Sequence, residues 1–411
     1  MHIVIIGAGP GGYTAAFHAA DLGLSVTLID QDPVLGGVCL NRGCIPSKAL
    51  LHAAHAVRSA KEAETMGITL GHPSIDIDRL RAWKAGITSR LTGGLARLAA
   101  ARQVHVIQGK ARFLNSSTLE IKKSDGTTTP LSFDKAIIAT GSRPVTLPFL
   151  PISDRVWDST RALELPCIPG TLLVIGGRYI GLELGTAYAG LGSAVTIVEA
   201  LPQLLAGADR DLAEVVLQRL KKTLSAVLAE TNVIAAKELA KGIEITFEDK
   251  KGIATTRVFD QVLTAVGRRP DTDTLGLENT AVRLTDRKFI IVNAQRQTAD
   301  PSIYAIGDVT GDPMLAHKAS REARIAAAHI AGELVSYAPK AIPSVVFTDP
   351  ELAWAGLTET EANEQGLNIA VFKFPWLASG RALTLDRTEG ITKIIADKTT
   401  RKILGIGIAG H

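Results

Sequence analysis

The sequence predicts an α/β protein: two doubly wound, parallel-sheet domains followed by a smaller, partial α+β domain. Three observations carry that prediction. A unit of apolar strand, glycine-rich turn, helix, apolar strand and terminal acid occurs twice, as HIVIIGAGPGGYTAAFHAADLGLSVTLID and as TLLVIGGRYIGLELGTAYAGLGSAVTIVEA. The spacing repeats too, since Gly7 to Asp30 and Gly176 to Glu199 each span 23 positions. Finally, 411 residues exceed what one core holds, which implies about two to four domains.

Composition removes several function classes. Hydrophobic residues make up 46% and charged residues 21% of the chain, the values of an ordinary globular protein. The net charge of +4 is small for this length, and no basic block interleaves with aromatics, so no nucleic-acid partner is expected. Met1 to Ile6 lacks a basic leader and its apolar run stops at Gly7, which reads as a buried strand rather than a signal peptide. No apolar stretch approaches the length of a membrane span, so no membrane partner is expected. Three cysteines without a secretory signal argue against structural cross-links and for a reducing, cytoplasmic compartment. No metal-ligand set is expected.

The first unit holds the sequence Gly7-Ala8-Gly9-Pro10-Gly11-Gly12. Gly7 permits the tight turn, Gly9 lets the backbone approach a pyrophosphate, and Gly12 lets helix and strand pack closely. The helix start offers N–H groups to phosphate, and Asp30 at the strand end can accept from a ribose diol. Next comes GGVCLNRGCIPSKAL, Gly36 to Leu50, in which Cys39 and Cys44 stand five positions apart. Pro46 favours a helix start or a kink here, and a thiol near such a start is shifted toward thiolate. A redox pair therefore competes with two plainer readings, a structural disulfide or two core cysteines.

Helices are expected from about Ala49 to Glu64 and near Asp78 to Ala101, although Gly86, Gly93 and Gly94 argue against a continuous second helix. Strands follow to Ile138, with a turn at Asp125-Gly126, and end in Ala139-Thr140-Gly141-Ser142-Arg143-Pro144. After a proline-rich connection the second unit begins, in a register of Gly176, Arg178 and Gly181. Glu199 would repel a 2′-phosphate, so NAD is expected over NADP. Arg178 stands where a glycine should approach the pyrophosphate. Its side chain is expected to crowd the ligand and resist positive φ, weakening NAD binding, although the guanidinium could pair with phosphate. Cys167 reads as a small apolar filler.

Asp209 to Leu228 reads as helix and Val233 to Phe247 as strands, and VLTAVGRRP closes the second domain. SIYAIGDVTG places Asp308 just after an apolar strand, positioned to meet a polyol chain, and an amphipathic helix follows. Strands resume at Ile342, and the last apolar strand stops at His411 with no helix after it, so the final domain is expected to be truncated.

Taken together, GGVCLNRGCIPSKAL, the two nucleotide units, ATGSRP, AVGRRP, AIGDV with MLAHKA, and VVFTDPELAWAGLTE resemble the dihydrolipoamide dehydrogenases of the pyridine nucleotide–disulfide oxidoreductase family. The resemblance implies two Rossmann-like domains and a dimerisation domain. It divides the chain into an FAD-binding part (1–144), an NAD-binding domain (145–270), a central part completing the FAD site (271–340) and a truncated interface domain (341–411). It implies that FAD meets Gly7, Gly9, Gly12, Asp30, Gly36, Gly37, Lys48, Ala111, Thr140, Gly141, Ser142, Asp308 and Ala316. NAD would meet Gly176, Gly177, Arg178, Gly181, Glu199, Val233 and Gly267. Cys39 and Cys44 would form the catalytic disulfide, and Lys48, paired with Glu183, would stand beside flavin N5.

The same resemblance implies oxidation of dihydrolipoamide carried on a lipoyl domain, in a homodimer that serves a 2-oxo acid dehydrogenase complex. It also implies a C-terminal His-Pro base, with a following Glu, from the partner subunit. The chain ends before that segment, so FAD binding and a reducible cysteine pair are expected together with low lipoamide turnover. Rival expectations are a mercuric reductase-like or glutathione reductase-like flavoenzyme, or a non-catalytic flavin-binding remnant.

Overall fold

A computed structural model describes residues 1–71 and 73–411. The chain forms two compact units, one of residues 1–46, 83–144 and 268–338, the other of residues 47–82, 145–267 and 339–411.

The first unit is built on a five-stranded parallel sheet in the order Ile303–Ala305, Lys135–Ile138, His2–Ile6, Ser25–Asp30, His105–Gln108. Its inner strands His2–Ile6, Ser25–Asp30 and Lys135–Ile138 are largely apolar and buried because both faces are covered, while the edge strand His105–Gln108 is mostly exposed. Ile3 and Ile5 face a cluster with Ala15, Ala16, Ala19, Ala323 and Ala327. Those alanines let the helices Pro10–Asp21 and Ala316–Ile330 lie close to the sheet. Val4 and Ile6 face the opposite cluster with Phe113, Leu119 and Ile121. Those three belong to an antiparallel sheet of Lys110–Asn115, Thr118–Lys122 and Thr128–Ser132. Ser142–Pro144 and Arg268–Pro270 pair as a short antiparallel ribbon.

The second unit repeats the plan. Its parallel sheet runs Ala226–Leu228, Ala194–Val198, Thr171–Ile175, Gln261–Thr264, Val156–Trp157. Trp157 and Tyr188 are buried in its largest cluster, and the Tyr188 hydroxyl donates to the Ala162 carbonyl at 2.7 Å. An antiparallel sheet of Thr231–Leu239, Gly242–Asp249 and Ala254–Phe259 packs on the other face. The chain from Ser344 adds a five-stranded antiparallel sheet in the order Ser344–Val346, Glu351–Gly356, Ile403–Gly410, Ile391–Asp397, Ile369–Pro375.

Three sequence expectations need correction. The helix after the cysteines spans Cys44–Glu62, five residues ahead of the expected start, because Pro46 falls in the first turn where its missing N–H has no partner to lose. The next helix is continuous over Ile77–Ala101 despite its three glycines. A side chain at Gly86 would touch nothing and one at Gly93 or Gly94 only the Arg97 guanidinium, so these glycines mark no break. The segment after Asp209 is helical only over Arg210–Thr223, and Ala226–Leu228 joins the parallel sheet.

Candidate active site

In the first unit, strand His2–Ile6 runs into Gly7, whose φ of 101° lies in the left-handed region. A Cβ at Gly7 would overlap the Ala139 carbonyl, and one at Gly12 would overlap the Gly7 carbonyl. Both positions demand glycine on steric grounds. Gly9, by contrast, is extended (φ −71°, ψ −174°) and precedes Pro10 at the helix start, where no acid occupies the first turn. No side chain caps that helix start, and no acid there offsets its positive dipole. Asp30 closes the turn: Oδ2 accepts from the Ala8 N–H at 2.5 Å and Oδ1 from the Asp32 N–H at 2.9 Å. Burial pushes the Asp30 carboxyl up, against the lowering effect of those two N–H groups.

Gly36 and Gly37 fold back onto this turn. The Gly36 N–H donates to the Ala8 carbonyl at 2.9 Å, and a Cβ on Gly37 would come 2.6 Å from the Gly9 Cα. Two further pieces frame the same unit. Arg268 Nε donates to Ser142 Oγ at 2.7 Å, and Ser142 Oγ donates to Asp308 Oδ2 at 2.5 Å. Asp308 follows Gly307, whose N–H donates to Glu322 Oε2 at 2.7 Å while its carbonyl accepts from Lys318 Nζ at 3.1 Å. Glu322 is fully buried and also pairs with Arg296 and Lys318. Thr140 donates to the Asp271 carbonyl, Gly141 adopts φ 74°, Ala111 is buried in its strand, and Ala316 begins its helix.

Cys39 lies in the short helix Gly37–Arg42 and is half-buried; Cys44 is the exposed first residue of Cys44–Glu62. Gly43 joins the two helices, and a Cβ there would press to 2.9 Å on the Val38 carbonyl, so a side chain would force them apart. Both thiols act on one neighbour. Burial raises the Tyr13 phenol, and negative charge at Cys39 and then Cys44 raises it further. Neither helix has an acid in its first turn, which leaves the dipole free to favour thiolate.

Lys48 lies one turn after Cys44 on the same helix. Its Nζ reaches Glu183 Oε2 at 2.7 Å and stands 4.4 Å from the Phe347 ring centroid. The Ser47 hydroxyl donates to the same oxygen at 3.3 Å, and the Phe347 N–H donates to Oε1 at 3.1 Å.

The second unit rebuilds the first turn. Gly176 has φ 115°, and its Cβ would meet the Ala265 carbonyl; a Cβ at Gly181 would overlap the Gly176 carbonyl. Glu199 accepts from the Gly177 N–H at 2.7 Å and the Leu201 N–H at 2.9 Å, matching Asp30. Arg178 is the correction. It adopts φ −93° and ψ −179°, extended backbone open to any residue, so no positive φ is demanded of it. Val233 is half-buried beside a strand irregularity, and Gly267 has φ 135°. Cys167 is half-buried against the core, and burial raises its thiol.

Sequence reasoning missed Tyr13, Arg268, Arg296, Lys318 and Glu322. Lys318 and Glu322 stand at a helical spacing of four on an amphipathic segment, a signal present but unread. The others have partners far away in sequence.

A family model described as pyridine nucleotide-disulphide oxidoreductase matches residues 1–323, and that family's dimerisation domain matches residues 342–411. The chain is 46% identical over 409 residues to a dihydrolipoyl dehydrogenase of Vibrio cholerae and 47% identical to one of Bacillus subtilis. Each match covers 99% of this chain and 86% of the relative. Among solved structures, the HOCl-induced flavoprotein disulfide reductase RclA of Escherichia coli is 30% identical with a TM-score of 0.87, covering 100% of this chain and 90% of that one. LpdA of Mycobacterium tuberculosis is 26% identical with a TM-score of 0.91, again covering 100% and 90%.

Proposed function

The chain belongs to the pyridine nucleotide-disulphide oxidoreductase family, and we propose that Cys39 and Cys44 are its redox pair, with dihydrolipoamide as the dithiol substrate. It is an FAD-dependent disulfide oxidoreductase, and FAD and NAD are its cofactors. The residues fit both groups. Each unit holds a turn in which glycine is sterically required and an acid at the strand end is fixed by backbone N–H groups. Gly7, Gly9 and Gly12 would hold the FAD pyrophosphate with Thr140, Gly141 and Ser142 beside it, Asp30 its ribose, Ala111 its adenine, and Asp308 and Ala316 its ribityl and flavin end. Gly176 to Gly181 with Glu199, Val233 and Gly267 would hold NAD. The domain limits 1–144, 145–270, 271–340 and 341–411 belong to the same reading.

The observation that carries the assignment of the cysteines is the approach of Gly37 to Gly9, which supports a redox pair beside the phosphate turn. A substrate thiolate attacks Cys39 Sγ, the Cys39–Cys44 bond breaks, and Cys44 leaves as thiolate at a helix start that favours the anion. The second substrate thiolate then attacks the substrate sulfur of the mixed disulfide, forming lipoamide and freeing the Cys39 thiolate. FAD supplies acceptance of an electron pair from a thiolate, and NAD⁺ supplies acceptance of that pair as hydride. The Lys48 ammonium, oriented by Glu183, offers positive charge to the negative charge of reduction.

The dimerisation domain spans residues 342–411. Phe372, Phe374, Leu377, Leu383, Ile403 and Ile406 are exposed on it, which supports a homodimer. Service to a 2-oxo acid dehydrogenase complex and a cytoplasmic location complete the proposal. Among the described residues no helix is long and apolar enough to cross a membrane.

Differential alkylation tests the reading. Treatment with dihydrolipoamide should expose Cys39 and Cys44 to iodoacetamide while Cys167 labels equally before and after. Equal labelling of Cys39 and Cys44 in both states would contradict it.

A further inference from the structure

The two glycine turns differ at one place where they should agree. Gly7 and Gly176 share positive φ, Gly12 and Gly181 are both packed on a turn carbonyl, and Asp30 and Glu199 accept equivalent N–H groups. Gly9 and Arg178 also share a backbone conformation, at φ −71°, ψ −174° and φ −93°, ψ −179°. The arginine therefore enters without distorting the turn. At Gly9 an added Cβ would meet only the Gly37 Cα, at 4.0 Å, so this backbone geometry leaves room for a side chain.

Arg178 is exposed and caps the 13-residue helix Tyr179–Leu191, which has no acid in its first turn. Among the described residues no carboxylate pairs with it, and both Glu199 oxygens already accept backbone N–H groups. A cation at a helix N-terminus has the wrong sign for the helix dipole. An anion bound at this turn reverses that penalty, because it meets the dipole and the guanidinium together.

We infer that Arg178 is a phosphate-binding residue that pairs with the pyrophosphate of NAD, raising affinity for the dinucleotide and making it salt-dependent. The inference rests on the assignment of this turn to NAD and reverses the expectation that Arg178 weakens binding. The guanidinium presents paired N–H donors to phosphate oxygens, and its long stem lets it settle beside the ligand rather than beneath it.

The test is calorimetric titration of NAD⁺ into oxidised, flavin-loaded protein at low and high ionic strength. Arg178→Gln and Arg178→Gly should bind about three- to tenfold more weakly than the parent at low salt. The gap should close at high salt, and Arg178→Lys should keep part of the affinity. Arg178→Gly binding equally or more tightly at low salt would overturn the inference and leave the NAD site intact. No binding to any of the proteins would overturn the site assignment and the inference with it.

Discussion

Lys48 Nζ lies 2.7 Å from Glu183 Oε2, and that carboxylate is only 4% exposed. The pair joins positions 135 residues apart, and Ser47 and Phe347 supply the carboxylate's other donors. Removing the ammonium leaves a buried carboxylate that still keeps two donors, and Lys48 itself is 34% exposed. Lys48→Met should therefore destabilise the chain by about 1–3 kcal/mol, below the cost of breaking a fully buried pair. Urea unfolding at neutral pH measures it. The same variant should slow flavin reduction by dihydrolipoamide in stopped flow.

Glu322 is the centre of a tighter network. It is fully buried, and it holds the Gly307 N–H, Arg296 and Lys318, which fixes the peptide that carries Asp308. Glu322→Ala strands two cations and should cost about 3–5 kcal/mol. Flavin content of the purified protein, read from its visible absorbance, should fall with it.

Steric demand separates the glycines of the first turn. Gly12→Ala drives a methyl into the Gly7 carbonyl and should destabilise the flavin-free chain by about 3 kcal/mol, the upper end of overpacking costs. Gly9→Ala meets only the Gly37 Cα, at 4.0 Å, an ordinary van der Waals contact, and should leave the flavin-free melting temperature close to that of the parent. Thermal melts of the two apo variants make the comparison.

Asp349 and His55, both in the second unit, contribute to an acid limb of stability. Burial opposes ionisation of Asp349, but Arg58, Arg387 and Arg219 overcome it and hold the carboxyl below the usual range. A depressed folded value means stability that is complete above the unfolded value, near pH 4, and is lost as pH falls through the folded one. His55 is also depressed, by burial, then by Arg58 and His411, whose ring lies 5.5 Å away. Its contribution is complete above about pH 6.5 and is lost as pH falls below that. Unfolding free energy should decline in two steps on acidification. His55→Gln should remove the upper step, and Asp349→Asn should shrink the lower, to which Asp211 also contributes.

Much of this fold was legible because its signals are local. Gly12 and Gly181 press on carbonyls five residues back, whereas Gly7 and Gly176 press on Ala139 and Ala265, far away in sequence, and all four were read from the local spacing of the turn. Arg178 misled because the second glycine of the motif was assumed to need a left-handed backbone, whereas the turn needs that only at its first. The continuous helix over Ile77–Ala101 was hidden because each glycine lowers helix propensity by only about 1 kcal/mol, a local cost that the rest of a 25-residue helix of good formers absorbs. The Asp349 and Glu322 networks were invisible, since their arginines arrive from elements that no local pattern connects. The Lys48–Glu183 pair was legible only through resemblance to a family.

Reductive titration tests the redox pair most directly. Anaerobic dithionite titration of flavin-loaded parent protein should consume about two more electrons per flavin than Cys44→Ser, with long-wavelength absorbance appearing midway in the parent alone. Equal electron uptake by the two proteins would contradict the assignment of Cys39 and Cys44.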